Sequence, residues 1–341
     1  MKPFLGPFVH WDVVTRQEPP KFLGKFFKEE KDSEYHISKK LHSRIASSLV
    51  NLERRIAGNA GNAAVSISEL GIASVLSCPN RAKPLMSGLA KHKIFLMSGG
   101  KESPPLKCSR LDDDPEHVVF EMKRYRKIFN YDEIQRNFIL DYDFWNSIKN
   151  SNYLFLCGFH NVPERHKKKA NEIADFLENR KFKVHLELGF GKNSLMKYAE
   201  KTLIERNCVD SLGMSDTDIT AFETKGLGLK EKAHTMIAFL EKTSLERISL
   251  HSREYRLTVF KKEPERNLKA AEFSIQACAA KALGGIKENM GKAKSVPISA
   301  AKAEKGKDFF IIPTRVVESS KIIVGLGDTA AVTDSLYALK K

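Results

Sequence analysis

Ile322-Ile323-Val324-Gly325-Leu326-Gly327-Asp328-Thr329-Ala330-Ala331-Val332-Thr333-Asp334 is the stretch whose reading decides the fold. Three apolar residues run into a Gly-x-Gly-Asp-Thr turn, and the small residues after it predict the first turns of a helix. That succession of strand, loop and helix outlines an anion site. Glycine lets the backbone approach a ligand closely, and N–H groups at a helix N-terminus face negative charge with the helix dipole behind them. Gly325, Leu326 and Gly327 are therefore expected to form an anion hole. An acid inside such a cradle has two readings: Asp328 as a general base beside a phosphate, or Asp328 as a plain N-cap.

The chain has 341 residues and a mass of 38.5 kDa, room for one large α/β domain or a core with a smaller lid. Its apolar content of 42% is ordinary for a globular enzyme. No run approaches the roughly 18 apolar residues of a membrane span, and Met1-Lys2-Pro3-Phe4-Leu5-Gly6-Pro7 is too broken for a signal peptide. A cytoplasmic protein with no membrane partner is expected. Five cysteines (Cys78, Cys108, Cys157, Cys208, Cys278) lie far apart without a C-x-x-C pair, which predicts reduced thiols. The formal charge of +15 invites a nucleic-acid partner. The basic residues are spread along the chain, however, and an enzyme acting on anionic metabolites accounts for them as well. No nucleic-acid partner is expected.

In chain order, Phe4 to Val14 predicts a first strand with Asp12 near its C-terminal end, where α/β sheets bind ligands; Asp12 would accept hydrogen bonds from substrate hydroxyls. From Lys21 to Lys40 charged residues interleaved with Phe22, Phe26, Phe27 and Tyr35 predict strands outside the main core. Ala57-Gly58-Asn59-Ala60-Gly61-Asn62-Ala63-Ala64 reads as a small-residue loop before a helix that ends at Leu70-Gly71. A ligand lies against such a backbone easily. Asn59 and Asn62 offer amides that both donate to and accept from a polyol, with Gly58 beside them. Further on, the alternation in Lys183 to Leu188 puts His185 and Glu187 on one face of a strand, and Glu187 is a natural partner for magnesium.

Gly58-Asn59-Ala60-Gly61-Asn62-Ala63-Ala64 with Leu70-Gly71, and Gly325-Leu326-Gly327-Asp328-Thr329 at the end, resemble the ribokinase-like sugar kinase superfamily. Within it, the chain is most similar to the ADP-dependent glucokinase and phosphofructokinase family. The resemblance implies an α/β fold: a ribokinase-like three-layer α/β/α core with a central, mostly parallel sheet, plus a small β-rich lid. It divides the chain into a first core strand (1–14), lid strands (15–45), core (46–92), lid and return (93–145), and a core with the nucleotide and magnesium sites (146–341). His117 to Met122 resembles the lid strand. The family's His-x-Glu motif implies a magnesium role for Glu187. Val209 to Ile219 resembles a strand followed by an Asn-x-x-Glu motif, with Ser215 where Asn is expected and Asp218 where Glu is expected, so that Asp218 becomes a second metal residue. Arg247 to Tyr255 resembles a His-x-x-x-Tyr region in which His251 and Arg253 face nucleotide phosphates; Val317, in the stretch that contacts adenine, and Thr329 complete the nucleotide set. The family's N-terminal Asn-x-Asp sugar motif appears as His10-Trp11-Asp12.

Only 13 residues follow Asp328, a short tail as in the ADP-dependent branch. The resemblance thus implies magnesium-assisted transfer of a phosphoryl group from ADP to a hydroxyl of a sugar or sugar phosphate, of the glucose or fructose 6-phosphate type, by a monomer or small homo-oligomer. Two alternatives stand beside it: an ATP-dependent sugar or nucleoside kinase of the same superfamily, and a non-catalytic nucleotide- or nucleic-acid-binding protein on the same fold.

Overall fold

In chain order the strands are β1 (Phe4–Gly6), β2 (His10–Thr15), β3 (Ser33–His36), β4 (Glu53–Ala57), β5 (Ser74–Leu76), β6 (Ile94–Ser98), β7 (Lys101–Ser103), β8 (Glu116–Glu121), β9 (Arg126–Asn130), β10 (Tyr153–Leu156), β11 (Lys183–Glu187), β12 (Ser211–Ser215), β13 (Arg247–His251), β14 (Tyr255–Phe260), β15 (Glu304–Lys305) and β16 (Phe309–Pro313). The computed structural model describes every residue except 1, 32, 51, 123–124, 160–161, 190–193, 217–221, 223, 225, 323 and 340–341. Eleven strands form one sheet in the order β15-β16-β14-β13-β12-β11-β10-β1-β5-β6-β7. From β6 to β13 neighbours run parallel; the pairs at both edges are antiparallel. Five strands form a second sheet, β3-β9-β8-β2-β4.

Helices cover both faces of the large sheet, and the two faces differ in chemistry. Leu154, Val184, Leu186, Leu212, Met214 and Ile248 turn to one side and pack on the helices Lys167–Leu177, Ser194–Glu205 and Leu229–Glu241. Parallel strands buried on both faces usually read as unbroken apolar runs. Here the alternate residues of β11 to β14 are polar: His185, Glu187, Ser211, Arg247, Ser249 and Arg256, all buried. The Leu326–Leu339 helix lies over this polar face. Its Asp334 Oδ2 accepts hydrogen bonds from Arg247 Nη2 at 2.8 Å and Ser249 Oγ at 2.9 Å, with Arg256 Nη1 at 3.7 Å.

The same helix packs on the Asn59–Glu69 helix through small residues, Ala60, Ala63 and Ala64 against Ala331 and Val332, above Leu5, Leu76 and Phe155. Small side chains bring the two helix starts close together. The five-stranded sheet has its own core, with Leu23, Ile45, Val118, Phe120 and Phe129 on one side. Alternation on β2 and β8 sends His10, Asp12 and His117 to the other side, towards the large sheet.

Three local expectations are corrected. Phe4 to Val14 is two strands in two sheets, not one, because Pro7 has no N–H for a ladder; β1 joins the large sheet and β2 the small one. Lys21 to Lys40 contributes a single strand, β3; Lys21–Phe26 is a 3-10 helix whose Leu23 plugs the small core. Neither Ile322 nor Val324 is in a strand. The chain there is tied to a helix end instead of a sheet edge, Lys321 N donating to the Ala282 carbonyl at 2.8 Å.

Burial by itself would raise the pKa of Asp334, but the charges of Arg247 and Arg256 outweigh it and hold the carboxyl below its ordinary value. Asp334→Ala strands two buried guanidinium groups, so urea unfolding is expected to show a loss of about 3–5 kcal/mol. A depressed folded-state pKa means that this contribution is complete above the unfolded value of about 3.9 and is lost as the pH falls through the folded one. The gap between wild type and variant should therefore close only in acid. Equal stability at neutral pH would show that the arginines do not depend on Asp334.

Candidate active site

A cleft of ≈ 1210 Å³ opens between the large sheet and the polar side of the small one. It brings together Asp12, Gly58, Asn59, Asn62, Glu187, His251, Arg253, Val317, Gly325, Leu326, Gly327 and Asp328. These positions span more than three hundred residues of chain. Thr329 does not reach the cleft: it is fully buried, and its hydroxyl bonds the Gly325 carbonyl at 2.8 Å. Asp218 lies outside the described residues.

Asp328 sits in the first turn of the Leu326–Leu339 helix with 9% of its surface exposed. It is not a simple N-cap. Asn59 Nδ2 donates to its Oδ1 at 2.6 Å and Asn62 Nδ2 to its Oδ2 at 2.9 Å. The helix bearing these amides begins at Asn59, with Gly58 as its N-cap, so the expected loop is already helical and i, i+3 spacing sets both amides on one face. Gly325 has φ 73°, a left-handed conformation, and an added Cβ there would lie 2.6 Å from Asn62 Cγ. Burial pushes the Asp328 carboxyl above its ordinary range; the Asn59 and Asn62 bonds and the charge of Lys281 act against that shift, and Asp12 acts with it.

Glu187 ends β11 on the floor of the cleft. Its Oε2 lies 3.0 Å from His185 Nε2, while His185 Nδ1 meets Ser211 Oγ at 2.9 Å; its Oε1 lies 3.6 Å from His251 Nε2. Burial drives both histidines down to about 3, so each is a neutral imidazole at physiological pH. Neither cancels the carboxylate charge. A carboxylate oxygen at a cleft floor is a donor of the kind that a magnesium ion or its water shell takes. His251 also faces the turn, its Nε2 3.4 Å from where a Gly327 Cβ would be. Asp216, not singled out from sequence, accepts from Tyr255 Oη and Lys232 Nζ, each at 2.6 Å, at the same end of the cleft.

At the opposite end His10 and His117 stack with ring centroids 3.5 Å apart. His10 Nε2 is 3.5 Å from Asp12 Oδ1 and His117 Nε2 is 3.4 Å from Asp132 Oδ2. Burial opposes protonation of His10, but the Asp12 hydrogen bond and the charges of Asp12, Asp132 and Glu34 raise its pKa overall. His10, Asp12 and His117 have the composition of a metal triad. Near-parallel stacked rings, however, cannot both aim an in-plane lone pair at one ion, and each ring has its own acid; the group is built for hydrogen bonding. Sequence reasoning missed this pairing because it joins two strands across about a hundred residues. It missed Lys281 as well, whose buried ammonium donates to Ser66 Oγ, Gly325 O and Thr329 Oγ1 at 3.1, 3.3 and 3.0 Å. One lysine in an alanine-rich helix carries no signal of burial.

Residues 21–334 match the ADP-specific Phosphofructokinase/Glucokinase conserved region. An ADP-dependent glucose/glucosamine kinase of Pyrococcus furiosus is 25% identical over 280 residues, which is 66% of this chain and 61% of that protein. The alignment thus spans less than two thirds of that relative's length. A solved ADP-dependent kinase in complex with fructose-6-phosphate and ADPβS superposes with a TM-score of 0.80 at 18% identity, over 99% of this chain and 94% of the other. The adenosine kinase of Sinorhizobium meliloti superposes with a TM-score of 0.55 at 14% identity, over 77% and 78% of the two chains. The fold is ribokinase-like α/β.

Glu187 depends on the absence of a side chain at Gly213. A Cβ there would lie 1.9 Å from Glu187 Oε2 and 2.7 Å from His185 Nε2. Gly213→Ala must push that buried pair aside and is expected to cost about 1–3 kcal/mol in denaturant unfolding. An unchanged midpoint would mean that Glu187 and His185 do not occupy this packing.

Proposed function

We propose that this chain, which belongs to the ADP-specific phosphofructokinase/glucokinase family, transfers a phosphoryl group from ADP to a hydroxyl of a sugar or sugar phosphate. The observation that carries the proposal is the place of Asp328: a buried carboxylate held by two amides at a glycine turn, between a polar pocket and the strand ends that bear Glu187 and His251. A base needs to touch the acceptor hydroxyl, and an anion hole needs to touch the phosphoryl group; residues 325–328 offer a carboxylate and a glycine turn side by side at the cleft.

Asp328 takes the proton of the acceptor hydroxyl as its oxygen attacks the β-phosphorus of ADP in line; the bond to the bridging oxygen breaks and AMP leaves. The N–H groups of Gly325, Leu326 and Gly327 meet the charge on the transferring group. Glu187, with Asp218 as the second acid expected from sequence, would hold a magnesium ion, which when bound neutralises charge on the donor phosphates. Arg253, exposed at the β13–β14 turn, and Val317 border the nucleotide end, with Thr329 supporting the turn from behind. Asp12, His10 and His117 supply hydrogen bonds to acceptor hydroxyls, with Gly58 keeping the backbone close to His10.

The lid over the acceptor, which excludes water from the transfer, is the five-stranded sheet: the segments 15–45 and 93–145 supply its β3, β8 and β9, β2 (but for Thr15) and β4 come from outside them, and β6 and β7 within 93–145 belong to the large sheet. The proposed setting is the cytoplasm, which suits five cysteines that form no disulfide. The protein works as a monomer or small homo-oligomer without nucleic acid.

The test crosses ADP and ATP with glucose, fructose 6-phosphate, ribose 1-phosphate and a nucleoside mixture in the presence of magnesium. AMP formed from ADP with one acceptor is expected; turnover with ATP alone would refute the assignment of the donor. The pH profile gives a second check. A base whose pKa is raised by burial loses its proton late, so the acid limb of kcat/KM should fall above the ordinary carboxylate range.

A further inference from the structure

Lys281 is the penultimate residue of the Pro264–Ala282 helix, and only 6% of it is exposed. Its three bonds go to neutral oxygens on two other elements: Ser66 on the Asn59–Glu69 helix, and Gly325 and Thr329 at the glycine turn. Ser66 Oγ has acceptors in the Asn62 carbonyl at 2.7 Å and Thr329 Oγ1 at 2.8 Å, and Thr329 Oγ1 has one in the Gly325 carbonyl at 2.8 Å. Each hydroxyl thus presents a lone pair inwards, and a group with three donors and no acceptor satisfies the site. Among the described residues no carboxylate forms an ion pair with Lys281. Burial lowers the pKa of Lys281, and the nearby acids Asp328 and Glu69 act against that shift through space.

A buried cation without a contacting anion is unfavourable unless something nearby supplies negative charge. The cleft surface directly above Lys281 is the turn 325–328, where the proposed function places a phosphoryl group. We propose that Lys281 is a positioning residue whose charge, set beneath the Gly325–Asp328 turn, favours the anionic ligand above it. It touches neither substrate. It acts through the turn, clamping the Gly325 carbonyl so that the following N–H groups face the cleft, and through its field, which is strong in a site closed to water.

The proposal rests on the kinase assignment, and the experiment separates the two. Affinities for ADP and AMP are measured by calorimetry for wild type, Lys281→Gln and Lys281→Arg. Gln keeps two donors without the charge; Arg keeps the charge. In Lys281→Gln, ADP affinity is expected to fall about tenfold or more, tenfold being the effect of one charge about 12 Å away at an effective dielectric constant of about 20. AMP, which lacks the transferred phosphate, should keep its affinity within about twofold, and Arg should restore most of the loss. Parallel loss of ADP and AMP, or no loss of either, would overturn the proposal and leave Lys281 a structural clamp. If wild type binds ADP but phosphorylates no acceptor, the kinase assignment fails while the ADP-to-AMP comparison still decides the role of Lys281.

The pH profile is the second readout. Asp328 is faced by the amides of Asn59 and Asn62 from one helix, Lys281 from another, Asp12 from β2, Cys157 just beyond β10, and the neutral His251 beside Gly327. Lys281 is the cation in that set. Its loss should move the acid limb of kcat/KM to higher pH in Lys281→Gln and not in Lys281→Arg. A limb that stays in place in Lys281→Gln would refute the electrostatic role.

Discussion

The ion pair between Asp334 and the arginines of β13 and β14 is the constraint from which the rest of the site follows. The Leu326–Leu339 helix crosses a sheet face that is polar instead of apolar, and it stays there because one buried carboxylate answers two guanidinium groups. Asp328 and Asp334 belong to the same rigid helix. Fixing the second fixes where the first emerges, at the strand ends that carry Glu187 and His251. The Asn59–Glu69 helix then docks through its alanines, and its two amides reach the Asp328 carboxylate.

Arg247 and Lys281 lie beneath the cleft, while Asp12, Glu187, Asp216 and Asp328 line it together with Arg126, Arg253, Arg256 and Arg315. The imidazoles of His185 and His251, which would add positive charge if protonated, are held neutral by burial. Carboxylates and arginines share the cleft wall, with Lys281 behind the glycine turn, the setting in which the proposed phosphoryl donor would bind. The far end works differently. There each of two stacked imidazoles is matched to its own acid, a chemistry of hydrogen bonds suited to hydroxyl groups.

Much of the fold was legible because it lies in local patterns: buried strands, the small-residue stretch at Gly58–Asn62, and the glycine turn at Gly325–Asp328. Those same stretches named residues that the structure brings to one cleft. What stayed hidden depends on tertiary packing. The apolar run into Val324 looks like a strand, but Lys321 binds a helix end and no sheet edge is offered. Arg247, Lys281 and Asp334 look like solvent-facing charges, since nothing in their own segments tells which helix or sheet will cover them. The break at Pro7 was visible in sequence, yet its consequence, two strands assigned to two sheets, depends on partners far along the chain. Asn59 and Asn62 were read as ligands for a polyol; that their amide nitrogens also hold the Asp328 carboxylate was not visible in the sequence.

The measurement that tests the central claim most directly is single-turnover phosphoryl transfer by Asp328→Asn alongside its affinity for ADP. Asparagine keeps the shape of the side chain and removes the proton acceptor. If Asp328 is the base at the meeting point of the two substrates, ADP affinity should change by no more than a few fold while transfer slows by on the order of a hundredfold or more. Transfer at close to the wild-type rate would contradict the account and return Asp328 to the role of a structural anchor for Asn59 and Asn62.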